Sequence, residues 1–128
     1  MSLTLNTKVY KYRNTQNGVT TYAEDSGQYV GGFSLVTART SIGQPSRGSR
    51  PASRSATVRK LSLPILADDD TACACAGDVL GTADFFVEIR SDVVIPKTVL
   101  TDGRLRLKDL IATSEFIASV DSHTQPTS

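Results

Sequence analysis

The sequence predicts an α+β fold in which a run of antiparallel strands is followed by two helices. Three observations carry this. Apolar and polar residues alternate with a period of two through most of the chain up to Val94. Turn dipeptides and Gly-, Pro- and Ser-rich stretches interrupt that alternation at intervals. A helical period appears only after Pro96. Strands first and helices last place the helices on one face of an antiparallel sheet and leave the other face polar. The length of 128 residues is that of one domain, and 39% hydrophobic residues are enough to build a core.

Taken in order, Leu3, Leu5 and Val9 alternate with Thr4, Asn6 and Lys8, and Val9-Tyr10-Lys11-Tyr12 adds residues that favour strands. Asn17-Gly18 is a turn dipeptide, because both residue types tolerate positive φ. Val19-Thr20-Thr21-Tyr22 reads as a strand, and the glycines of Ser26–Gly32 as a loop. Phe33 to Ile42 is the next strand, with Ser34, Val36, Ala38 and Thr40 on one side and Leu35, Thr37, Arg39 and Ser41 on the other. Gly43 to Ser55 is basic and has nothing to bury, so it reads as an exposed connector whose Arg47, Arg50 and Arg54 either meet phosphates or stay solvated. Thr57 to Leu66 resumes the alternation, with Leu61, Leu63 and Ile65 on one side and Val58, Lys60 and Ser62 on the other. Arg59 falls on the apolar side; a strand end or a bulge would turn it outward. Ala67 to Gly81 is a small, acidic loop, and Thr82 to Val94 a long strand with Phe85, Val87 and Ile89 opposite Thr82, Asp84, Phe86, Glu88 and Arg90. Asp102 has the chemistry of an N-cap for a helix carrying Leu105, Leu107, Leu110 and Ile111, and Ser114–Val120 reads as a second helix before a polar tail. Two short helices cannot roof a sheet of about five strands, and a second subunit lending its own helices is a natural remedy.

The formal charge of +1 conceals an asymmetry. Residues 1–66 hold nine Lys and Arg against two acids, and residues 67–128 hold five against eleven. Such a split fits a surface that meets a polyanion. The polar sheet side combines cations (Arg39, Lys60, Arg90), hydroxyls (Thr37, Ser41, Ser62, Thr82) and an aromatic (Phe86), a set that suits RNA: cations attract phosphate, hydroxyls and carboxylates bond base edges, and aromatics stack unpaired bases. An ordinary solvated sheet face is the alternative. Cys73-x-Cys75 is too short a spacing for a zinc knuckle, and the single His is His123 in the tail. The thiols either stay free or pair with neighbouring subunits. Asp68-Asp69-Asp70 offers hard oxygen ligands of the kind that hold Ca²⁺ between subunits, but in no EF-hand spacing; a solvated acidic loop is the plainer reading, and no cofactor is expected. Asp84 and Glu88 lie roughly 13 Å apart at strand rise, too far for a simple carboxylate pair. No phosphate-binding Gly loop, nucleophile elbow or Ser/His/Asp set appears, so no enzyme is expected. The chain starts without an apolar leader and has no run of ~20 apolar residues, which leads to the expectation of a soluble chain made in a cytosol.

In this order the segments resemble the coat proteins of the single-stranded RNA bacteriophages, the levivirus group. Asn17-Gly18-Val19 resembles the NGV that opens their first sheet strand. Gln44-Pro45-Ser46-Arg47 follows a Val-Thr-rich strand as in one coliphage branch, and Lys60-Leu-Ser-Leu-Pro64 resembles a K-V-x-V-P strand of another. A loop of small residues bearing Cys73 and Cys75 follows, then Ala83-Asp84-Phe85 and two terminal helices. The resemblance implies one coat-protein domain over 1–128: an N-terminal hairpin at 1–15, a five-stranded sheet at 17–94 with exposed loops 43–55 and 67–81, helices at 97–121 interlocked with a second subunit, and a tail at 122–128. It implies a homodimer with one continuous sheet, an icosahedral shell in a virion assembled in a bacterial cytoplasm, and inter-subunit disulfides through Cys73 and Cys75. It also implies packaging of viral single-stranded RNA, an operator hairpin bound to repress replicase translation, and the phage maturation protein as a partner. The implied RNA face comprises Val19, Thr37, Arg39, Ser41, Val58, Lys60, Ser62, Thr82, Asp84, Phe86 and Glu88. Thr82 departs from the family, in which a stacking tyrosine stands there. The alternative is a small cellular dimeric RNA-binding module that forms no shell; a hydrolase using Asp84 or Glu88 ranks last.

Overall fold

Two-residue turns set the start of the sheet. In a computed structural model that describes residues 2–24, 33–44, 48, 54–66 and 79–125, β1 (Ser2–Leu5) returns along β2 (Lys8–Gln16), and β2 along β3 (Val19–Glu24). Asn17 and Gly18 both take positive φ, 52° and 77°, as a tight hairpin turn requires. Asn6 and Thr7 do the same at 47° and 66°, so the alternation read from Leu3 to Val9 crosses a turn instead of following one strand. β4 (Ser34–Ser41), β5 (Arg54–Leu66) and β6 (Val79–Asp92) complete an antiparallel sheet with its strands in chain order. Among the described residues the sheet has six strands; the hairpin is not separate from a five-stranded sheet, because β2 continues past a bulge between Tyr12 and Asn14 and pairs with β3 down to Gln16 opposite Val19.

The chain forms two compact units, Met1–Val93 and Val94–Ser128. In the first, Tyr10, Ala23, Val36 and Ser34 are the buried residues among those described. The Tyr10 hydroxyl meets Ser34 Oγ at 2.8 Å, and Ser34 Oγ donates to the Ser62 carbonyl at 3.1 Å, which ties β2, β4 and β5 together. The sheet curls so that Leu3 and Leu5 share an apolar groove of about 360 Å³ with Val36, Leu61, Phe85 and Val87.

The second unit holds α1 (Lys97–Ile111) and α2 (Ser114–Ser122). Asp102 does not cap α1. The helix starts at Lys97 with Pro96 as N-cap, whose carbonyl accepts from Val99 and Leu100, and Asp102 sits in the second turn paired with Arg106 at 3.0 Å. Thr113 caps α2 by accepting from the Phe116 backbone N–H, while its own hydroxyl donates to the Leu110 carbonyl. Each helix carries an apolar stripe (Val99, Leu107 and Leu110; Phe116, Ile117 and Val120), and neither has a buried residue. Among the described residues no helix is long and apolar enough to cross a membrane.

Candidate nucleic-acid interface

Residues paired across an antiparallel ladder share a face, so the register shows which side chains stand together. Val19 pairs with Arg39, Arg39 with Val58, and Val58 with Glu88. The adjacent same-face row is Thr37, Lys60 and Phe86, with Thr21 on β3. The row beyond is Leu35, Ser62 and Asp84, and Thr82 follows opposite Pro64. Towards the other end stand Ser41, Ala56 and Arg90. Every residue of the expected RNA face, from Val19 to Glu88, therefore lies on one side of the sheet. Val36, Leu61 and Phe85 form a row on the opposite side, with Arg59 and Val87 paired in the next.

Arg59 is not turned outward. The β4–β5 ladder has no register shift and the β5–β6 ladder only one near Ile65, so strict alternation holds Arg59 on the apolar side in mid-strand. One of its terminal nitrogens, Nη1, donates to the Val58 and Arg39 carbonyls at 2.9 and 3.3 Å.

The polar side is laced with ion pairs. Lys60 Nζ lies 3.8 Å from Asp84 Oδ2, Arg54 Nε lies 3.3 Å from Asp92 Oδ1, and Arg90 pairs with Glu88. Arg39 has no side-chain partner among the described residues. These pairs are largely open to water, where an ion pair contributes about 0–1 kcal/mol, so a phosphate can displace a carboxylate at little cost. Arg39, Ser41, Arg54, Glu88 and Arg90 line a cleft of about 340 Å³ at the end of this face nearest the basic connector. Phe86 is 60% exposed, flanked along β6 by Asp84 and Glu88 and in register with Lys60. Such an array offers cations to a phosphate backbone, hydroxyls and carboxylates to base edges and one ring for stacking.

The sequence pattern places Arg54 in the loop 43–55, yet β5 begins at that residue and brings it into the cleft. Its signal was Ser55-Ala56-Thr57, small residues that extend the β5 alternation backwards. Cys73, Cys75 and Asp68-Asp69-Asp70 lie outside the described residues, as do Arg47 and Arg50.

No protein-family model and no curated protein matches the sequence. Solved structures do match. The chain superposes on the virus-like particle of bacteriophage ESE058 with a TM-score of 0.78 at 15% identity, covering 99% of this chain and 95% of that one. The virus-like particle of Beihai levi-like virus 21 gives 0.78 at 14% identity over 100% and 96%. The bacteriophage GA protein capsid gives 0.70 at 15% identity over 97% and 95%.

Proposed function

From the premise that this chain has the RNA phage coat-protein fold, we propose that it is a capsid subunit of a single-stranded RNA bacteriophage. The observation that carries the proposal is the two-sided sheet. One side aligns the cations, hydroxyls and Phe86 in register, and the other is apolar and half-open, with Phe85 46% exposed. A second copy resolves both sides at once. Its helices, which bury none of their apolar residues here, roof the apolar side. The edge of β6, a strand of 14 residues with no neighbour beyond it among the described residues, pairs with its counterpart to make one continuous sheet.

Dimers then assemble into an icosahedral shell with the polar side facing the packaged RNA, where Lys60 and Arg39 contact phosphate and Phe86 stacks on a base. The same side binds an operator hairpin and so represses replicase translation, and the shell takes in the maturation protein. The role is structural, and the protein resides in the virion. Cys73 and Cys75 would link neighbouring subunits once the particle leaves the reducing cytosol.

The test is expression of the chain alone. Nuclease-resistant, RNA-filled particles in density gradients and negative-stain micrographs are expected. A dimer that elutes free at every concentration and salt would overturn the capsid role and favour a cellular RNA-binding module.

A further inference from the structure

Arg59 is the one charged side chain that β4, β5 and β6 place on the apolar side of the sheet. It borders the groove formed by Leu3, Leu5, Leu61, Phe85 and Val87. A guanidinium carries five N–H donors, and here Nη1 alone is engaged, by two backbone carbonyls. That anchoring holds the group in place and leaves the Nε–Nη2 edge, the one that grips a carboxylate with two parallel bonds, without a partner among the described residues. Covering this side with purely apolar surface would strand those donors and the charge, at a cost no cover of hydrocarbon repays. Whatever covers the groove therefore brings a carboxylate to Arg59.

The second unit offers one. On α2, Asp121 lies one turn beyond Ile117, at the rim of the stripe formed by Phe116, Ile117 and Val120. Asp121 is exposed and has no ion-pair or hydrogen-bond partner among the described residues. Its place is unfavourable for an isolated helix. The last turn of α2 has no basic residue, and a carboxylate there adds to the negative end of the helix dipole. An unpaired cation on an apolar sheet and an unpaired anion on an apolar helix are complementary in charge and in surroundings.

We propose that Arg59 is a pairing residue between copies of this chain, its free guanidinium edge receiving the carboxylate of the partner's Asp121 as α2 seats on the apolar side of the sheet. This rests on the dimeric reading above and adds to it the contact that orients α2 and rejects a helix lacking the acid. A charge pair of this kind acts mainly on specificity, since a mismatched charge is penalised more than the matched one is rewarded.

The test is exchange of the charges in trans. Arg59→Glu and Asp121→Arg are made singly, and each is expected to raise the dimer dissociation constant by about 30-fold or more, with loss of particles. Co-expression of the two single variants creates a heterodimer in which both intersubunit pairs are complementary and neither within-chain pair is. It is expected to restore dimers and particles. Failure of that mixture while the single variants are soluble overturns the proposal; the double variant in one chain restores the pair both between copies and within a chain, so rescue by it without rescue by the mixture would place the pair within a subunit. If the charge reversals are insoluble, Arg59→Leu, Asp121→Asn and their combination are compared by urea dissociation of the dimer. Non-additive midpoints support the pair and additive ones overturn it. Unaltered dimers with weakened RNA retention in Arg59→Leu would assign Arg59 to nucleic acid and also overturn the proposal. A wild-type chain that never dimerises would instead remove the capsid reading itself.

Discussion

The bond between Tyr10 and Ser34 has a direction that can be worked out. Ser34 has one hydroxyl proton, and it goes to the Ser62 carbonyl at 3.1 Å. The 2.8 Å contact with Tyr10 is therefore the phenol donating to Ser34 Oγ. Both side chains are buried, at 4% and 8% exposure. In Tyr10→Phe the donor disappears and Ser34 keeps its bond to β5, so one neutral hydrogen bond is lost, worth about 1 kcal/mol. Ser34→Ala does more: it leaves the phenol proton buried without an acceptor and takes a donor from the Ser62 carbonyl, a cost of about 2–3 kcal/mol. In the double variant the stranded phenol is gone, so the sum of the single effects overstates the loss by about 1 kcal/mol. Equilibrium urea unfolding at fixed protein concentration, followed by circular dichroism, measures all three. Equal losses in the single variants, or strict additivity, would refute the relay from Tyr10 through Ser34 to Ser62.

Other perturbations test separate parts of the chain. Thr7→Gly is expected to stabilise the protein by about 1 kcal/mol, because a β-branched residue at φ 66° is strained where Gly is not; a lowered urea midpoint would contradict the turn. Gly18→Ala goes the other way by about 1 kcal/mol, although the added methyl meets no atom, since φ of 77° alone penalises it. Thr113→Ala removes the N-cap of α2 and is expected to cost about 1 kcal/mol, seen as a lower thermal midpoint of the assembled protein. Lys60→Ala is expected to weaken RNA hairpin binding and to reduce the slope of log affinity against log salt by about one. Filter binding across a salt series checks this, and an unchanged slope would remove Lys60 from the phosphate contacts.

The polar and apolar sides of the sheet were legible because a period of two leaves no freedom: once the strands are placed, Lys60 and Asp84 share a side and Leu61 and Phe85 share the other. Turn chemistry was legible only where the residues matched it. Asn17-Gly18 announced a hairpin, while Asn6-Thr7 makes the same turn with a residue that disfavours it, so the hairpin entered through the family resemblance and its turn went unplaced. The helix start at 97 implied by the resemblance holds, while the cap read from Asp102 fails for a similar reason. Asp102 has the right chemistry for a cap, but the Asp102-to-Arg106 spacing is also that of an ion pair in mid-helix, and Pro96, with φ near the value its ring imposes, ends the extended segment earlier. Arg59 could not be settled from one strand, since only the ladders on both sides show that no bulge intervenes there.

The charge asymmetry along the chain takes on a different meaning once the strands are paired. The basic first half and the acidic second half meet at β5 and β6, where Arg54 faces Asp92 and Lys60 reaches Asp84. Part of the excess that pointed to a polyanion is therefore neutralised within the sheet. Two cations are left over on the described polar side: Lys11, in the row of Leu35, Ser62 and Asp84, and Arg39, beside a cleft whose other cations are held by weak, exposed pairs. A phosphate entering there gains Arg39 directly and competes with Glu88 and Asp92 for Arg90 and Arg54. Binding of this kind is strong only when many phosphates act together. That suits a sheet presented repeatedly around a packaged chain better than one that grips a single anion, and under the proposed function it predicts retention of RNA that fails steeply with salt while the proposed dimer, with its apolar cover and β6 pairing, stays intact.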